Sequence, residues 1–212
     1  MRWRRVGCHS LEAIPERLGF HSNRSGAFQI WTIAPDGSDL RQLTRLANRG
    51  TVYSSMWSPD GTRLAFNVEG RPPMIIETGK PWDERSLENL PPLESSDALF
   101  VANSWSPDRR LLAGHRVVAT AHDGISVYSF NSRQYKNFTD FGWAPRWLSD
   151  GQRLIFWHFP GIYLLDTGSG KVHQILSASP NRVMGASPSR DDRRIYFGLV
   201  TVEADVWLMS RE

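Results

Sequence analysis

The string Trp57-Ser58-Pro59-Asp60-Gly61, followed by Arg63-Leu64-Ala65-Phe66, recurs along this chain. An internal repeat constrains the fold more than any bulk property does. The second copy is Trp105-Ser106-Pro107-Asp108 with Leu111-Leu112-Ala113-Gly114, and the third is Trp147-Leu148-Ser149-Asp150-Gly151 with Arg153-Leu154-Ile155-Phe156. A weaker copy runs from Pro188 through Asp191-Asp192 to Arg194-Ile195-Tyr196-Phe197, and Arg17-Leu18-Gly19-Phe20 keeps only the second half. Aligning Leu18, Leu64, Leu112, Leu154 and Ile195 gives steps of 46, 48, 42 and 41 residues. One supersecondary unit of about 40–45 residues per step is the period of WD40-type blades.

The rest of each period is equally regular. An aliphatic–aromatic–x–aliphatic segment follows each anchor: Ile30-Trp31-Thr32-Ile33, Val127-Tyr128-Ser129-Phe130, Ile162-Tyr163-Leu164-Leu165 and Val206-Trp207-Leu208-Met209, with Met74-Ile75-Ile76 as a degenerate copy. A short outer segment comes next, as in Leu40-Arg41-Gln42-Leu43-Thr44, Leu87-Glu88-Asn89-Leu90, Tyr135-Lys136-Asn137-Phe138-Thr139 and Val172-His173-Gln174-Ile175-Leu176. Apolar–polar alternation over four or five positions marks half-buried strands. Pro35-Asp36-Gly37, Pro59-Asp60-Gly61 and Ser149-Asp150-Gly151 supply tight turns: Pro presets φ, Asp bonds its own backbone, and Gly takes positive φ. No segment sustains a helical period, so each repeat reads as a four-stranded antiparallel meander. Such a sheet cannot bury both faces alone, and radial stacking of sheets solves that problem as a propeller. The expectation is an all-β propeller of about five blades, over roughly 4–46, 51–92, 98–140, 143–178 and 182–212, with the first and last incomplete. Trp31, Trp57, Trp105, Trp147 and Trp207, five of the nine tryptophans, are then expected in the packing between blades.

The pattern x-W-S-P-D-G-x-x-L-A-F, then I-W/Y-x-x, then L-x-x-L-T resembles the WD40-like (PD40) repeat of the TolB-like propellers. Phe20-His21-Ser22-Asn23-Arg24-Ser25-Gly26 before Ile30-Trp31 resembles that family's link between its second and third strands. The resemblance covers nearly the whole chain and implies a module that binds rather than catalyses, a platform for a protein partner or small ligand. The alternative it implies is the separated sensor or gating propeller of a larger prolyl-oligopeptidase-like enzyme, kinase or transcription regulator, and it allows a periplasmic setting. Three departures stand out. The second period has Glu69-Gly70-Arg71-Pro72-Pro73 in place of the link and a Pro-rich acidic stretch, Pro81 to Asp97, expected to be an exposed loop. The first period lacks a readable anchor, and the last ends at Glu212 with no outer strand. These departures predict an open piece of a longer ring, with an upstream effector domain absent from this chain.

The strings that could carry chemistry are each incomplete. Gly185-Ala186-Ser187-Pro188-Ser189 lacks the closing glycine of a nucleophile elbow. Gly168-Ser169-Gly170-Lys171 lacks the first glycine and final Ser/Thr of a phosphate loop. Asp36-Gly37-Ser38-Asp39 offers two carboxylates without the remainder of a calcium loop. His9, His21, His115, His122, His158 and His173 show no metal-ligand spacing, and His158 is expected in a hairpin loop. No catalytic, cofactor or metal residue is therefore assigned, and no enzyme activity is expected.

The formal net charge of +3 includes Arg2, Arg4, Arg5, Arg17 and Arg24 near the start, but nucleic acid needs a clustered stripe. Elsewhere arginine recurs at one place per repeat, which fits solvated strand edges, so no nucleic-acid partner is expected. Cys8 is the single cysteine, which excludes an internal disulfide. No apolar run approaches the roughly 20 residues of a membrane-spanning helix. Binding is expected at the channel mouth or at the loops of one face, including Pro81–Asp97.

Overall fold

The computed structural model describes residues 12–14, 17–46, 50–93, 97–118 and 121–201, with 12–14 and 121–123 described by backbone alone. The expected strand at Val206–Met209, with Trp207, lies outside the described residues, as do Arg2, Arg4, Arg5, Cys8 and His9. The described chain is nearly all β. The first sheet holds β1 (Glu12–Ile14), β2 (Arg17–Ser25), β3 (Ala27–Ile33) and β4 (Arg41–Gln42). The second holds β5 (Val52–Trp57), β6 (Arg63–Val68), β7 (Arg71–Glu77) and β8 (Glu88–Asn89). The third holds β9 (Ala98–Trp105), β10 (Leu111–Val118), β11 (Ala121–Ser129) and β12 (Gln134–Asn137). The fourth holds β13 (Trp143–Trp147), β14 (Arg153–His158), β15 (Gly161–Asp166) and β16 (Val172–Ser177). Each of these four is an antiparallel meander in chain order, while β17 (Arg182–Pro188) and β18 (Ile195–Val200) form a two-stranded sheet. The first sheet has all four strands, and its two-residue outer strand β4 is matched by the two-residue β8 of the second.

The repeated anchor is a turn built from side-chain hydrogen bonds. Ser58 Oγ donates to Asp60 Oδ1 at 2.6 Å and accepts the Arg63 N–H at 2.9 Å, while the Ser58 N–H meets the Arg63 carbonyl at 2.9 Å. The third sheet repeats it: Ser106 Oγ donates to Asp108 Oδ1 at 2.6 Å and accepts the Leu111 N–H at 2.9 Å. The fifth does so with Ser189, Asp191 and Arg194, so the copy that is weakest in letters is complete in geometry. The fourth has Leu148 at the serine position; it keeps the backbone bridge, Leu148 N–H to Arg153 carbonyl at 2.9 Å, and Asp150 Oδ1 takes over the Arg153 N–H at 3.0 Å. The last turn residue is left-handed in every copy (φ 70° at Gly61, 66° at Arg109, 65° at Gly151, 56° at Asp192). Glycine serves where it is present, and two side chains accept the strained conformation where it is not.

Each core lies between two sheets. Ile30, Leu43 and Leu46 of the first region pack with Trp57, Leu64, Phe66 and Ile76 of the second sheet. Met56, Ala65 and Ile75 pack with Trp105, Leu112 and Tyr128 of the third. Ala113, Ile125 and Val127 pack with Trp147, Leu154 and Phe156 of the fourth, and Leu148, Ile155 and Ile162 with Val183 and Ala186 of the fifth. Alternation along one strand therefore serves two interfaces: Leu64 and Phe66 of β6 face backward, Ala65 faces forward. The anchor tryptophans, with exposures of 8% at Trp57, 5% at Trp105 and 6% at Trp147, all pack onto the preceding sheet. The residue that receives each is small. A Cβ on Gly19 would lie 2.8 Å from Trp57 Nε1, and Ala65 and Ala113 occupy the matching places beneath Trp105 and Trp147. Where Pro188 replaces tryptophan in the fifth anchor, the corresponding residue of the fourth sheet is the larger Ile155.

Trp31 departs from the expected inter-blade core. It is half-buried in β3, with the Arg24 guanidinium 5.0 Å from its ring. Its counterpart Tyr128 faces backward onto the second sheet, but no sheet precedes the first among the described residues. Two of the repeat arginines, Arg17 and Arg63, also depart from solvated edges, whereas Arg153 and Arg194 are exposed as expected. Arg17 pairs with Asp39 and Arg63 with Glu88, each at 2.6 Å, and Arg63 lies 4.8 Å from the Phe130 ring.

Candidate functional site

The incomplete motifs fall on structural positions. Ser187 belongs to β17, next to the bulge at Gly185, and pairs in register with Tyr196. The Gly168–Lys171 string is the turn between β15 and β16, where Asp166 Oδ1 accepts the Ser169 N–H at 2.7 Å. Asp36 Oδ1 is occupied by the Ser38 N–H and hydroxyl, and both Asp39 oxygens are held by arginines, which accounts for these carboxylates as turn and ion-pair groups. His158 closes β14 and is not in a loop; its ring lies 5.3 Å from that of Phe141 and 6.1 Å from that of Trp143. Among the described residues no group of three His, Cys, Asp or Glu side chains could hold a metal ion.

The inner strands carry a repeated irregularity. The first strand of each later sheet bulges two or three residues before its end, with left-handed φ at Ser54 (44°), Ala144 (46°) and Gly185 (70°). Bulges re-aim side chains and sharpen twist. Here they bring polar groups onto the neighbouring blade: Arg146 Nη1 donates to the Asn103 carbonyl, and the Trp147 N–H donates to Ser104 Oγ at 3.2 Å. Asn67 makes the equivalent link one interface earlier, donating to the Ala102 carbonyl and accepting its N–H, both at 2.9 Å.

The Pro81–Asp97 stretch is not simply an exposed loop. Its described part begins with a 3-10 turn, Trp82–Glu84, and contributes β8. Trp82 and Leu87 pack on the first core, Leu90 is buried, and the Tyr135 hydroxyl donates to the Pro91 carbonyl at 2.8 Å. Arg85 staples the start of the segment: Nε donates to the Lys80 carbonyl at 2.6 Å, Nη1 to Leu43 at 2.5 Å and Nη2 to Thr78 at 3.1 Å.

That stapled segment forms one wall of a cavity of about 520 Å³ between the first and second sheets. In a meander the first and third turns of each sheet leave at the same edge, and the cavity opens there, beside the Trp57 anchor turn. Arg17, Arg41 and Arg45 line the first-sheet side, and Lys80, Trp82 and Arg85 line the other. Gly79 also lines it, and a Cβ built there meets nothing within 4 Å, so this wall stands open. The size is that of a small-ligand or peptide side-chain site. Trp82 and Arg85 fall in the Pro81–Asp97 stretch where binding was expected, whereas Arg41, Arg45 and Lys80 gave no signal in the sequence, because they come from separate strands and turns with no common spacing.

Among curated proteins the chain is similar to the protein TolB homolog of Chlorobium luteolum, 29% identical over 158 residues that are 72% of this chain and 34% of that protein. Among solved structures it superposes on the putative TolB of Agrobacterium tumefaciens with a TM-score of 0.67 at 16% identity, over 86% of this chain and 65% of the other. It superposes equally on an oligogalacturonate lyase in complex with manganese, with a TM-score of 0.66 at 13% identity, over 87% of this chain and 56% of that one. The chain thus spans about a third of the curated relative it matches. No protein-family model matches. Stacked four-stranded sheets, cores shared between neighbours and these likenesses make the chain a TolB-like β-propeller.

Proposed function

We propose that this chain works as a non-catalytic binding module, seating a protein segment or small ligand in the cavity between its first two sheets. Propellers with the same fold include a lyase as well as TolB proteins, so fold does not decide the matter and the site must. The observation that carries the reading is the cavity wall: Arg85 spends three donors on backbone carbonyls to hold Thr78–Arg85 open against the first sheet. A segment fixed by this many hydrogen bonds presents a preorganised surface, which reduces the ordering cost of binding. Similarity to a TolB homolog supports a protein-interaction role.

Panning the purified chain against a peptide library should enrich sequences whose binding is lost in Gly79→Phe, a substitution that projects a ring into open space without a backbone clash. Enrichment that survives this change places the binding surface elsewhere. Turnover of oligogalacturonate by the purified chain would overturn the non-catalytic part.

A further inference from the structure

Resting on that reading of the cavity, the charge of its lining says what kind of group it takes. The lining holds five cations, Arg17, Arg41, Arg45, Lys80 and Arg85, and one carboxylate, Asp83. Two carboxylates lie behind them. Asp39 is shared by Arg17 and Arg41 at 2.6 Å each, and Glu77 meets Lys80 at 2.5 Å. One anion for two guanidiniums leaves positive charge over at the first-sheet wall. Arg85 adds more: its three bonds all go to carbonyls, which fix its orientation and leave its charge in place. A guanidinium has five N–H donors, so two remain to be offered. Burial holds the pKa of Arg85 below the usual arginine value. Arg45 is exposed at the same rim. Trp57 and Trp82 give the cavity an apolar wall beside this charge.

We propose that the cavity binds an organic anion, its carboxylate or phosphate set against Arg85 and Arg45 and its body against the tryptophans. Arginine suits this task, because its planar fork matches the oxygens of both groups and stays charged at any physiological pH. The anion can arrive free or as an acidic side chain of a partner, and the two sources share this chemistry.

The test is a titration of the full chain, followed through the backbone amide signals of Gly79 and Trp82. The probes are citrate, inorganic phosphate, a blocked Glu-Glu dipeptide and the matching Gln-Gln dipeptide. Citrate, phosphate or the Glu peptide should shift these signals and weaken at high salt, and the Gln peptide should not. Arg45→Glu, an exposed change that leaves the fold intact, should weaken anion binding roughly fivefold to tenfold. Arg85→Met should abolish it, and Arg85→Lys should restore part of it if charge rather than loop anchoring is at work. Shifts with citrate and phosphate alone identify a free anion as the source, and shifts with the Glu peptide identify a partner's side chain. Equal binding of the Glu and Gln peptides, both lost in Gly79→Phe, would overturn the anion inference while leaving the cavity as the site. Anion binding indifferent to Arg45→Glu and to salt, or no shift with any probe, would sink it as well.

Discussion

Serine is the economical part of the anchor turn: one hydroxyl both donates to an aspartate and accepts the first N–H of the next strand. Ser58→Ala and Ser106→Ala should each lower stability by about 1 kcal/mol, the usual net value of an intramolecular hydrogen bond, measured by urea unfolding. The same bonds tune the carboxylates. The Ser58 hydroxyl holds Asp60 well below the usual carboxylate range, with Arg109 and Thr62 assisting against a burial penalty, and Ser106 and Ser189 depress Asp108 and Asp191. Unfolded aspartate titrates near 3.9. The stabilisation is therefore complete above that pH and fades as pH falls through the lower folded values. Melting temperature should be flat from pH 7 to about 5 and drop below about 4. Because these groups are mostly solvated, the drop comes from several turns acting together, and Asp60→Asn should make it shallower.

At the scale of the element, the interfaces are built from a large residue on one sheet and a small one on the sheet before it. Ala113→Ile should wedge Trp147 outward and destabilise by about 1–3 kcal/mol, as overpacking does. Trp105→Ala should cost about 3–5 kcal/mol, since it removes an indole whose Nε1–H also donates to the Met56 carbonyl at 3.0 Å. Both are read by denaturant unfolding. This reciprocity was half legible in the sequence. The tryptophans were marked by the repeat, and Gly19, Ala65, Ala113 and Ile155 sit at one fixed offset from the aligned leucines, yet their role depends on which sheet each face meets. The stitches between neighbouring sheets were not legible. Asn67 looks like a misplaced polar residue inside an apolar run until the backbone of Ala102 is seen opposite it. Ser54 and Ala144 give no hint of left-handed backbone, because the bulge is imposed by neighbours rather than by their own chemistry. The basic cavity was invisible for another reason: Arg17 read as part of a charged start and Arg85 as part of a loop, and only stacking brings them together.

Across the whole molecule, burial is uneven. The fifth sheet has two described strands, with Met184 53%, Tyr196 60% and Leu199 51% exposed. Stacked sheets gain stability from nearest-neighbour interfaces, so a sheet with one covered face is held less firmly than one with two. Hydrogen exchange should be slowest in β6, β10 and β14 and faster in β17 and β18. Leu199→Ser should change global stability by less than about 0.5 kcal/mol, against about 2–5 for Leu154→Ala in the middle of the stack.

The direction in which the anchor tryptophans point carries a consequence for how the protein is made. Trp57, Trp105 and Trp147 all reach back onto a sheet encoded earlier in the chain, and none of them waits for one encoded later. A ribosome releases the chain in that same order, at about 5–20 residues per second. Each anchor indole therefore emerges after the sheet it docks on, and does not wait uncovered for a later one.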